Sequence, residues 1–317
     1  MTGSAVGIDI GGTKTVAALV DAAGTVRERR QAATPAGAGP AAVLDTAARL
    51  ARELLPATGG GASGPVGVGN SGSGPAPAVG VGTAGTVDPV DGTIRYATDS
   101  LPGWAGTRVT DELAGRLGRP VRVVNDVNAA ALGECWVGAA RGRRDVLLVA
   151  VGTGLGGALV RHGRIEAGAR GGAGEVGHLP VPGAERLRCG CGRYGHLEAI
   201  ASGTGLAAGY ALRTGERITG RVVADRAAAG DPAAREVVDA AGTALGAALA
   251  GLVALLDPEL VLVAGGAAGA LLPAAVLAFA AELPSAWADV PLLPAGLGTD
   301  AVVVGAARLG MSPMEEA

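Results

Sequence analysis

The chain has 317 residues, of which 49% are hydrophobic and 17% charged, and its formal net charge is −3. That length suits two modest domains or one larger domain divided by a cleft, and that composition fills a core, which excludes a wholly disordered chain. The slight negative charge comes with no long basic run, so neither nucleic acid nor an acidic membrane surface is expected as a partner.

Aromatic residues make up only 2%, against 56 glycines, so the core must be built from small and branched aliphatics. The sequence opens polar (MTGSA) and runs straight into VGIDIGGTK, without the charged-then-apolar pattern of a leader peptide. There are three cysteines, Cys135, Cys189 and Cys191. An odd count, with two of them separated by one residue, fits a reducing compartment and metal binding better than a disulfide framework. A cytoplasmic protein is expected.

In chain order, VGIDI, TVAALV and TVRERR alternate and carry β-branched residues around the turns GGTK and DAAG, which predicts two successive hairpins. Residues 40–55 place Val43, Leu44, Ala47, Leu50, Ala51 and Leu54 on one helical face. Residues 56–77, rich in Gly, Ser and Pro, are expected to form a mobile surface loop. AVGVGTAG then reads as a buried strand entering a tight turn. A helix ending near Leu117-Gly118 is followed by the strand VRVVND, and this change of pattern sets the expected lobe boundary near residues 115–120.

Beyond it, DVLLVAVGTGLGGALV reads as two strands joined by a glycine turn. Asp231-Pro232 has the cap-plus-proline signature of a helix start, and that helix should stop at Asp257-Pro258. The apolar run inside it, residues 244–256, is too short and glycine-marked to favour a membrane span. LVLVAGG follows as a buried strand, and residues 299–309 look helical. The expected division is an N-terminal lobe of residues 1–117, with a helix from 299–317 packing back on it, and a C-terminal lobe of 118–298. A strand–glycine-turn–strand pattern appears once in each half, suggesting two lobes of similar build.

Two glycine turns carry the first chemistry. In Asp9-Ile10-Gly11-Gly12-Thr13-Lys14, backbone amides freed of side chains can approach an anion closely, while Thr13 and Lys14 add a hydroxyl and a cation. Asp9, at the strand end, is placed to hold a hydrated Mg²⁺. An ordinary hairpin turn would use glycines too, and the spacing is not that of a P-loop. Gly152-Thr153-Gly154-Leu155-Gly156-Gly157 matches a dinucleotide fingerprint on paper. That motif needs a helix after the glycines, and here the strand-like ALVRHGRI follows, so a second phosphate-cradling hairpin fits better.

Asp126 ends the strand of VVNDVNAA just before a helix, where an aspartate commonly caps. His178, Cys189, Cys191 and His196 bring two of the three cysteines and two of the three histidines within nineteen residues, residue types that can ligate tetrahedral Zn²⁺ in a site that, with four protein ligands, would be structural. A chance cluster of polar loop residues is the alternative.

Two glycine hairpins gripping one polyphosphate is the design of the actin–Hsp70–sugar kinase superfamily. More narrowly, the chain resembles the ROK family (repressors, open reading frames and kinases) from about Val6 to Gly305. The resemblance rests on DIGGTK, GTAGTVD, VVNDVNAAALGE, AVGTGLGGALV, GEVGH, CGCGRYGHLE and LVLVAGG in that order. It implies an α/β, two-lobed actin-like ATPase (ribonuclease H-like) fold with a central cleft, and ATP-dependent phosphorylation of a hexose hydroxyl, the 6-OH. It makes Asp126 the general base and places Gly85, Ser100, Asn125, Glu175, His178 and Glu198 at the sugar. Gly265 and Gly266 would face the adenosine. His178 would bind zinc through one ring nitrogen and a sugar hydroxyl through the other, and His196 stands where the family usually has cysteine. Glu198 has the alternative of complementing a helix dipole.

The family's hexose kinases commonly carry an Asn-Leu before Gly-Trp; here the stretch reads Asp99-Ser100-Leu101-Pro102-Gly103-Trp104. Ser100 in place of that asparagine leaves an N-acetylhexosamine such as N-acetylmannosamine, or a sugar-derived cyclitol, open beside glucose. A homo-oligomer, dimer or tetramer, is typical of such relatives. The family's repressor branch carries a winged helix-turn-helix ahead of this body, and no basic recognition helix is evident here. A catalytically silent sugar-binding regulator is disfavoured by the presence of Asp126 and both glycine hairpins.

Overall fold

The computed structural model describes residues 3–55, 78–98 and 100–312. The loop expected at 56–77, Asp99, and the last five positions of the terminal segment lie outside the described residues. The chain divides into two compact units, residues 1–133 with 302–317, and residues 134–301.

The first unit opens with β1 (Ala5–Ile10), β2 (Lys14–Val20) and β3 (Val26–Ala33), the two hairpins expected from alternation. Next comes α1 (Pro40–Arg52), with Pro40 at its first turn. Its buried Val43, Leu44, Ala47 and Ala51 form the apolar stripe that seats it on the sheet. After β4 (Val79–Thr83), a small ribbon of β5 (Thr86–Val87) and β6 (Ile94–Tyr96) precedes α2 (Val109–Leu117). Gly118 ends α2 in the left-handed region, with φ of 62°, where a glycine adds no steric cost. Then come β7 (Val121–Asn125) and α3 (Asp126–Val137).

The sheet order is β3-β2-β1-β4-β7, with β1, β4 and β7 parallel. Because β7 pairs with β4 from Val79↔Val121 to Thr83↔Asn125, β7 and Asp126 belong to the first unit. The boundary expected near 115–120 therefore moves to 133/134, and Asp126 leaves the lobe assigned to it. A strand's own sequence does not say which sheet will accept it.

The second unit repeats the plan. β8 (Val146–Val151), β9 (Leu155–Arg161) and β10 (Arg164–Ile165) form an antiparallel meander. A helical region follows: α4 (Glu198–Ala201), α5 (Gly203–Thr214), α6 (Gly220–Ala228) and α7 (Pro232–Leu256). β11 (Leu260–Ala264), α8 (Ala268–Glu282) and β12 (Leu292–Pro294) complete it, in sheet order β10-β9-β8-β11-β12. In each unit, two antiparallel strands lead to a central strand that is continued by two parallel ones.

The start of α7 is as read: Asp231 Oδ1 accepts from the Ala234 amide at 3.0 Å, and Pro232 follows the cap. At 25 residues α7 is long and apolar enough to cross a membrane by length and composition. Residues 244–256 are only its second half. Its Val237, Val238, Leu245 and Leu249 are core residues of the unit, packed with Leu271, Ala275 and Phe279 of α8, which accounts for the apolar run.

Glu134, fully buried, accepts from three backbone amides: Ala139 at 2.8 Å and Gly296 at 3.0 Å on Oε2, and Leu297 at 2.8 Å on Oε1. Replacing Glu134 by Ala orphans those donors, and we expect a loss of about 2–4 kcal/mol in urea unfolding of the full chain. An unchanged midpoint would mean that these amides find other partners.

The last helix, α9 (Ala301–Met311), runs into the first unit from Val302 on. It lies so close to the sheet that a Cβ on Gly7 would stand 1.9 Å from the Val303 carbonyl oxygen, and one on Gly80 would stand 1.8 Å from that of Ala306. Bare positions in β1 and β4 thus make the seat for this helix on the first unit.

Candidate active site and metal centre

In the first unit the carboxyl ends of the parallel strands share one row, Ile10 beside Thr83 and Thr83 beside Asn125. Ligands of open α/β sheets bind at such carboxyl ends. The turn after β1 is closed by the Gly11 amide on the Lys14 carbonyl at 3.1 Å. It is braced by Thr34, whose amide donates to Thr13 O at 3.0 Å and whose hydroxyl donates to Gly11 O at 2.7 Å. Thr34 lies outside every motif singled out in the sequence; only the β2–β3 pairing brings it here. Gly12 packs against Ser100, where a Cβ would come within 2.7 Å of the Ser100 carbonyl oxygen.

Asn125 fixes the far end of the row. Its Nδ2 donates to Gly85 O at 3.0 Å, and its Oδ1 accepts from the Val127 amide at 2.8 Å. One amide side chain therefore ties the loop after β4 to the first turn of α3. Asp126 Oδ1 accepts from the adjoining Val127 amide at 2.9 Å, but the cap of α3 is Asn125, whose Oδ1 also accepts from the Asn128 amide at 3.3 Å. The buried Trp104 donates to Thr83 Oγ1 at 3.2 Å and holds the end of β4. Ser100 Oγ and Thr98 Oγ1 share a hydrogen bond of 2.8 Å. Asp9, Gly12, Gly85, Ser100, Asn125 and Asp126 are thus brought to one end of one sheet.

Burial, and then the Asp126 charge, push the Asp9 carboxyl up to about 7, while Lys14 and Arg29 oppose the rise. Two carboxylates that resist ionising together suit a divalent cation, whose charge would remove the penalty. Asp9 thereby fits an Mg²⁺ role, with Thr13 and Lys14 exposed beside it. The cost shows as a pH dependence. Between pH 3.8 and about 7, Asp9 keeps in the folded chain a proton it has lost in the unfolded one, so its contribution to stability declines as pH rises through that window and is flat above it. We expect Asp9→Asn to gain on the order of 1–3 kcal/mol over the wild type at pH 8 without metal, and nothing near pH 4. Chemical denaturation at both pH values checks this; equal gains at both would assign the effect to packing.

In the second unit, the turn between β8 and β9 hangs from the start of α5. Gly152 O accepts from the Gly203 amide at 2.8 Å, and Thr153 O accepts from the Thr204 amide at 3.1 Å and its hydroxyl at 2.9 Å. Gly152, Thr153 and Gly266 line a cavity of about 650 Å³ together with Thr204, Thr219, Arg221 and Asp225. These last four escaped sequence reasoning. The run Ser202-Gly203-Thr204-Gly205 at a helix start, where Ser202 Oγ accepts from the Gly205 amide at 3.0 Å, is the signal that would have found Thr204. Gly265 turns towards β8, and Gly156 stands inside β9 opposite Ala150, past the turn itself.

The four proposed metal ligands converge, their donor atoms lying within 4.8 Å of one another. His178 ends a single 3₁₀ turn, Val176–His178; Cys189 and Cys191 sit on a tight turn closed by the Cys189 amide on Arg193 O at 2.8 Å. Cys189 Sγ is 3.6 Å from His178 Nδ1, and Cys191 Sγ is 3.3 Å from His196 Nδ1. Sulfur and nitrogen ligands of tetrahedral Zn²⁺ stand about 3.5 Å apart, so the donor set fits. Burial pushes the Cys189 thiol up to about 12, with the neighbouring Glu198 carboxylate acting in the same direction; a bound cation would reverse both effects.

With Nδ1 on the metal side, His178 turns Nε2 towards Glu175, 4.0 Å from Oε2. Burial raises Glu175 above the usual carboxylate range, His178 opposes this, and Glu198 adds to it. Glu198 meets three protein donors. Its Oε2 accepts from the Leu155 amide at 3.1 Å, and its Oε1 from the Gly190 amide at 3.2 Å and the Cys189 thiol at 3.1 Å.

Comparison with known proteins bears on both units. The ROK family matches residues 5–312. A glucokinase of Thermotoga maritima is 32% identical over 322 aligned positions, covering 96% of each chain. Among solved structures, a ROK hexokinase from Thermus thermophilus is 34% identical with a TM-score of 0.79, over 96% of this chain and 97% of that one. A ROK family glucokinase from Streptomyces griseus, solved with glucose and AMPPNP, is 32% identical with a TM-score of 0.78, over 97% of this chain and 99% of that one. The fold is the two-lobed, actin-like ATPase fold of these kinases, and the duplicated sheet plan is its signature. With its ordered motifs matched from the first strand to the last helix, the chain belongs to the ROK family.

Proposed function

We propose that this protein is an ATP-dependent sugar kinase that transfers the γ-phosphoryl group to a hydroxyl, the 6-OH, of a hexose. The observation that carries the reading is the placement of Asp126 at the carboxyl end of β7, in one row with Asp9 and the Gly11–Gly12 turn. A carboxylate there can take the proton of an attacking hydroxyl, and backbone amides with Lys14 can neutralise charge on the phosphates. Kinship with glucokinases at 32–33% identity over nearly the whole chain supports the same conclusion.

Each unit contributes by its own residues. In the first, Asp9, Gly11, Gly12, Thr13 and Lys14 hold phosphate and Mg²⁺, Asp126 is the base, and Gly85, Ser100 and Asn125 orient the acceptor. In the second, Thr153 and Gly154 hold phosphate with Gly156 flanking them, Gly265 and Gly266 face the nucleoside, and Glu175 and His178 accept or donate to sugar hydroxyls. Mg²⁺ supplies charge neutralisation on the transferring phosphoryl group. His178, Cys189, Cys191 and His196 would hold a structural Zn²⁺, which fixes the His178 tautomer so that Nε2 faces the sugar.

A second acceptor class is favoured by one observation. Ser100, which takes the position of an expected asparagine, has a short side chain already paired with Thr98. An N-acetylhexosamine or a cyclitol would lose less there than glucose does. A panel of hexoses, N-acetylhexosamines and cyclitols with MgATP, read as ADP release, decides between them. Absence of turnover with every member would sink the kinase reading.

A further inference from the structure

The two thiols of the proposed metal centre differ in access. Cys191 is exposed, whereas Cys189 is only 3% exposed. Both sit on one tight turn, closed by the Gly192 amide on Cys189 O at 2.9 Å and by the Cys189 amide on Arg193 O at 2.8 Å. Only Gly190 separates them in the chain, and their sulfurs lie within 4.8 Å of each other. Residues one apart cannot exceed about 7 Å between Cα atoms, and a turn shortens that into the range of about 4.4–6.8 Å that disulfides span.

The make-up of the centre gives such a bond a large effect. The donor set is two thiols and two imidazoles. One disulfide removes both anionic ligands and leaves two neutral rings, His178 and His196, too few to hold tetrahedral Zn²⁺. Sulfur bound to zinc is thiolate, the form that attacks a peroxide. The third cysteine is different. Burial pushes the Cys135 thiol up to about 12, with the Glu134 charge next in the same direction, which keeps it protonated and slow to react.

We propose that Cys191 is an oxidation site, where a hydroperoxide converts Cys189 and Cys191 to a disulfide that expels the metal ion and releases His178. In the first step the Cys191 sulfur attacks the terminal oxygen of the hydroperoxide. An S–O bond forms, the O–O bond breaks, and the leaving oxygen takes a proton to become an alcohol, or water where the oxidant is hydrogen peroxide. Cys191 is then a sulfenic acid, oxidised by two electrons. In the second step the Cys189 sulfur attacks Cys191 Sγ; the S–S bond forms, and the departing hydroxide takes a second proton from solvent to become water. Two thiolates, one hydroperoxide and two protons thus give one disulfide, one alcohol and one water. His178 Nδ1, 3.6 Å from Cys189 Sγ, then has no metal to face, and its ring is free to turn.

Because the proposal rests on the zinc reading, zinc content of the full chain is measured first. A chain that binds no zinc sinks the metal centre and the proposal together. The zinc-loaded chain is then treated with hydrogen peroxide beside a chromophoric chelator, and its thiols are mapped by alkylation and mass spectrometry. We expect about one zinc ion released per disulfide, with the peptide that carries Cys189 and Cys191 lighter by two hydrogens and Cys135 still open to alkylation. A dithiol reductant with added zinc should reverse both changes. Cys135→Ser should release zinc within about 2-fold of the wild-type rate. Zinc that stays bound under peroxide, zinc lost with the two sulfurs oxidised separately and no disulfide, or a Cys135→Ser chain that keeps its zinc overturns the proposal while leaving the metal centre in place.

Discussion

Replacing Asp126 by Asn lowers turnover by roughly 10²–10⁴-fold while leaving nucleotide, sugar and metal binding within about 3-fold of the wild type. The asparagine side chain keeps an oxygen where Asp126 Oδ1 accepts from the Val127 amide, so the first turn of α3 is preserved. What is lost is a carboxylate able to take a proton from an attacking hydroxyl. Asp126 also helps hold the Asp9 carboxyl up near 7, so its removal should lower the Asp9 pKa and, if anything, strengthen Mg²⁺ binding at neutral pH. The combination of near-normal binding and collapsed kcat is specific to a lost base. Steady-state assays coupled to ADP release, with calorimetric titration of sugar and nucleotide, check it. Full turnover in this variant would show that the proton leaves by another route.

The second large effect concerns the metal centre. Cys189→Ala should lower zinc content from one ion per chain to less than about 0.1, because it removes the more buried of the two thiol ligands in a set of four. Two consequences follow from the local geometry. The 185–195 loop, closed mainly by backbone bonds such as Gly195 to Leu187 O at 3.2 Å, should become the first site of limited proteolysis. His178, no longer held through Nδ1, should lose its orientation towards the sugar, costing roughly 10–100-fold in kcat/KM. Stripping zinc from the wild type with a chelator should reproduce both effects, and zinc should restore the wild type but not the variant. A zinc-free chain with normal sugar kinetics would confine the metal to stability.

Much of the architecture is written in the residues. The hairpins around GGTK and GTGLGG, the capped start of α7 at Asp231 and the helix stop at Gly118 all follow from local chemistry: alternation, a capping oxygen, a left-handed glycine. The metal ligands are equally visible, because two cysteines and two histidines on a short stretch have few other uses. Family motifs located Asp9 and Asp126, which the sheet then aligns.

Other features depend on partners far away in the chain. Asp126 was assigned to the wrong unit because β7 could join either sheet by its own pattern, and only pairing with β4 decides the matter. Thr34, Thr204 and Asp225 sit in no motif; they matter because strand pairing and helix packing bring them to a turn or a cavity. Glu198 carries the same lesson for chemistry. The resemblance implies its place at the sugar, and only the folded chain brings the amides of Leu155 and Gly190 to its two oxygens. The sequence by itself therefore determined which groups are present and which local turns present them, since both depend on neighbours within a few residues. Only the tertiary structure decided which sheet, which cavity and which hydrogen-bond donor each group meets, because those contacts join residues tens of positions apart, and local chemistry does not encode them.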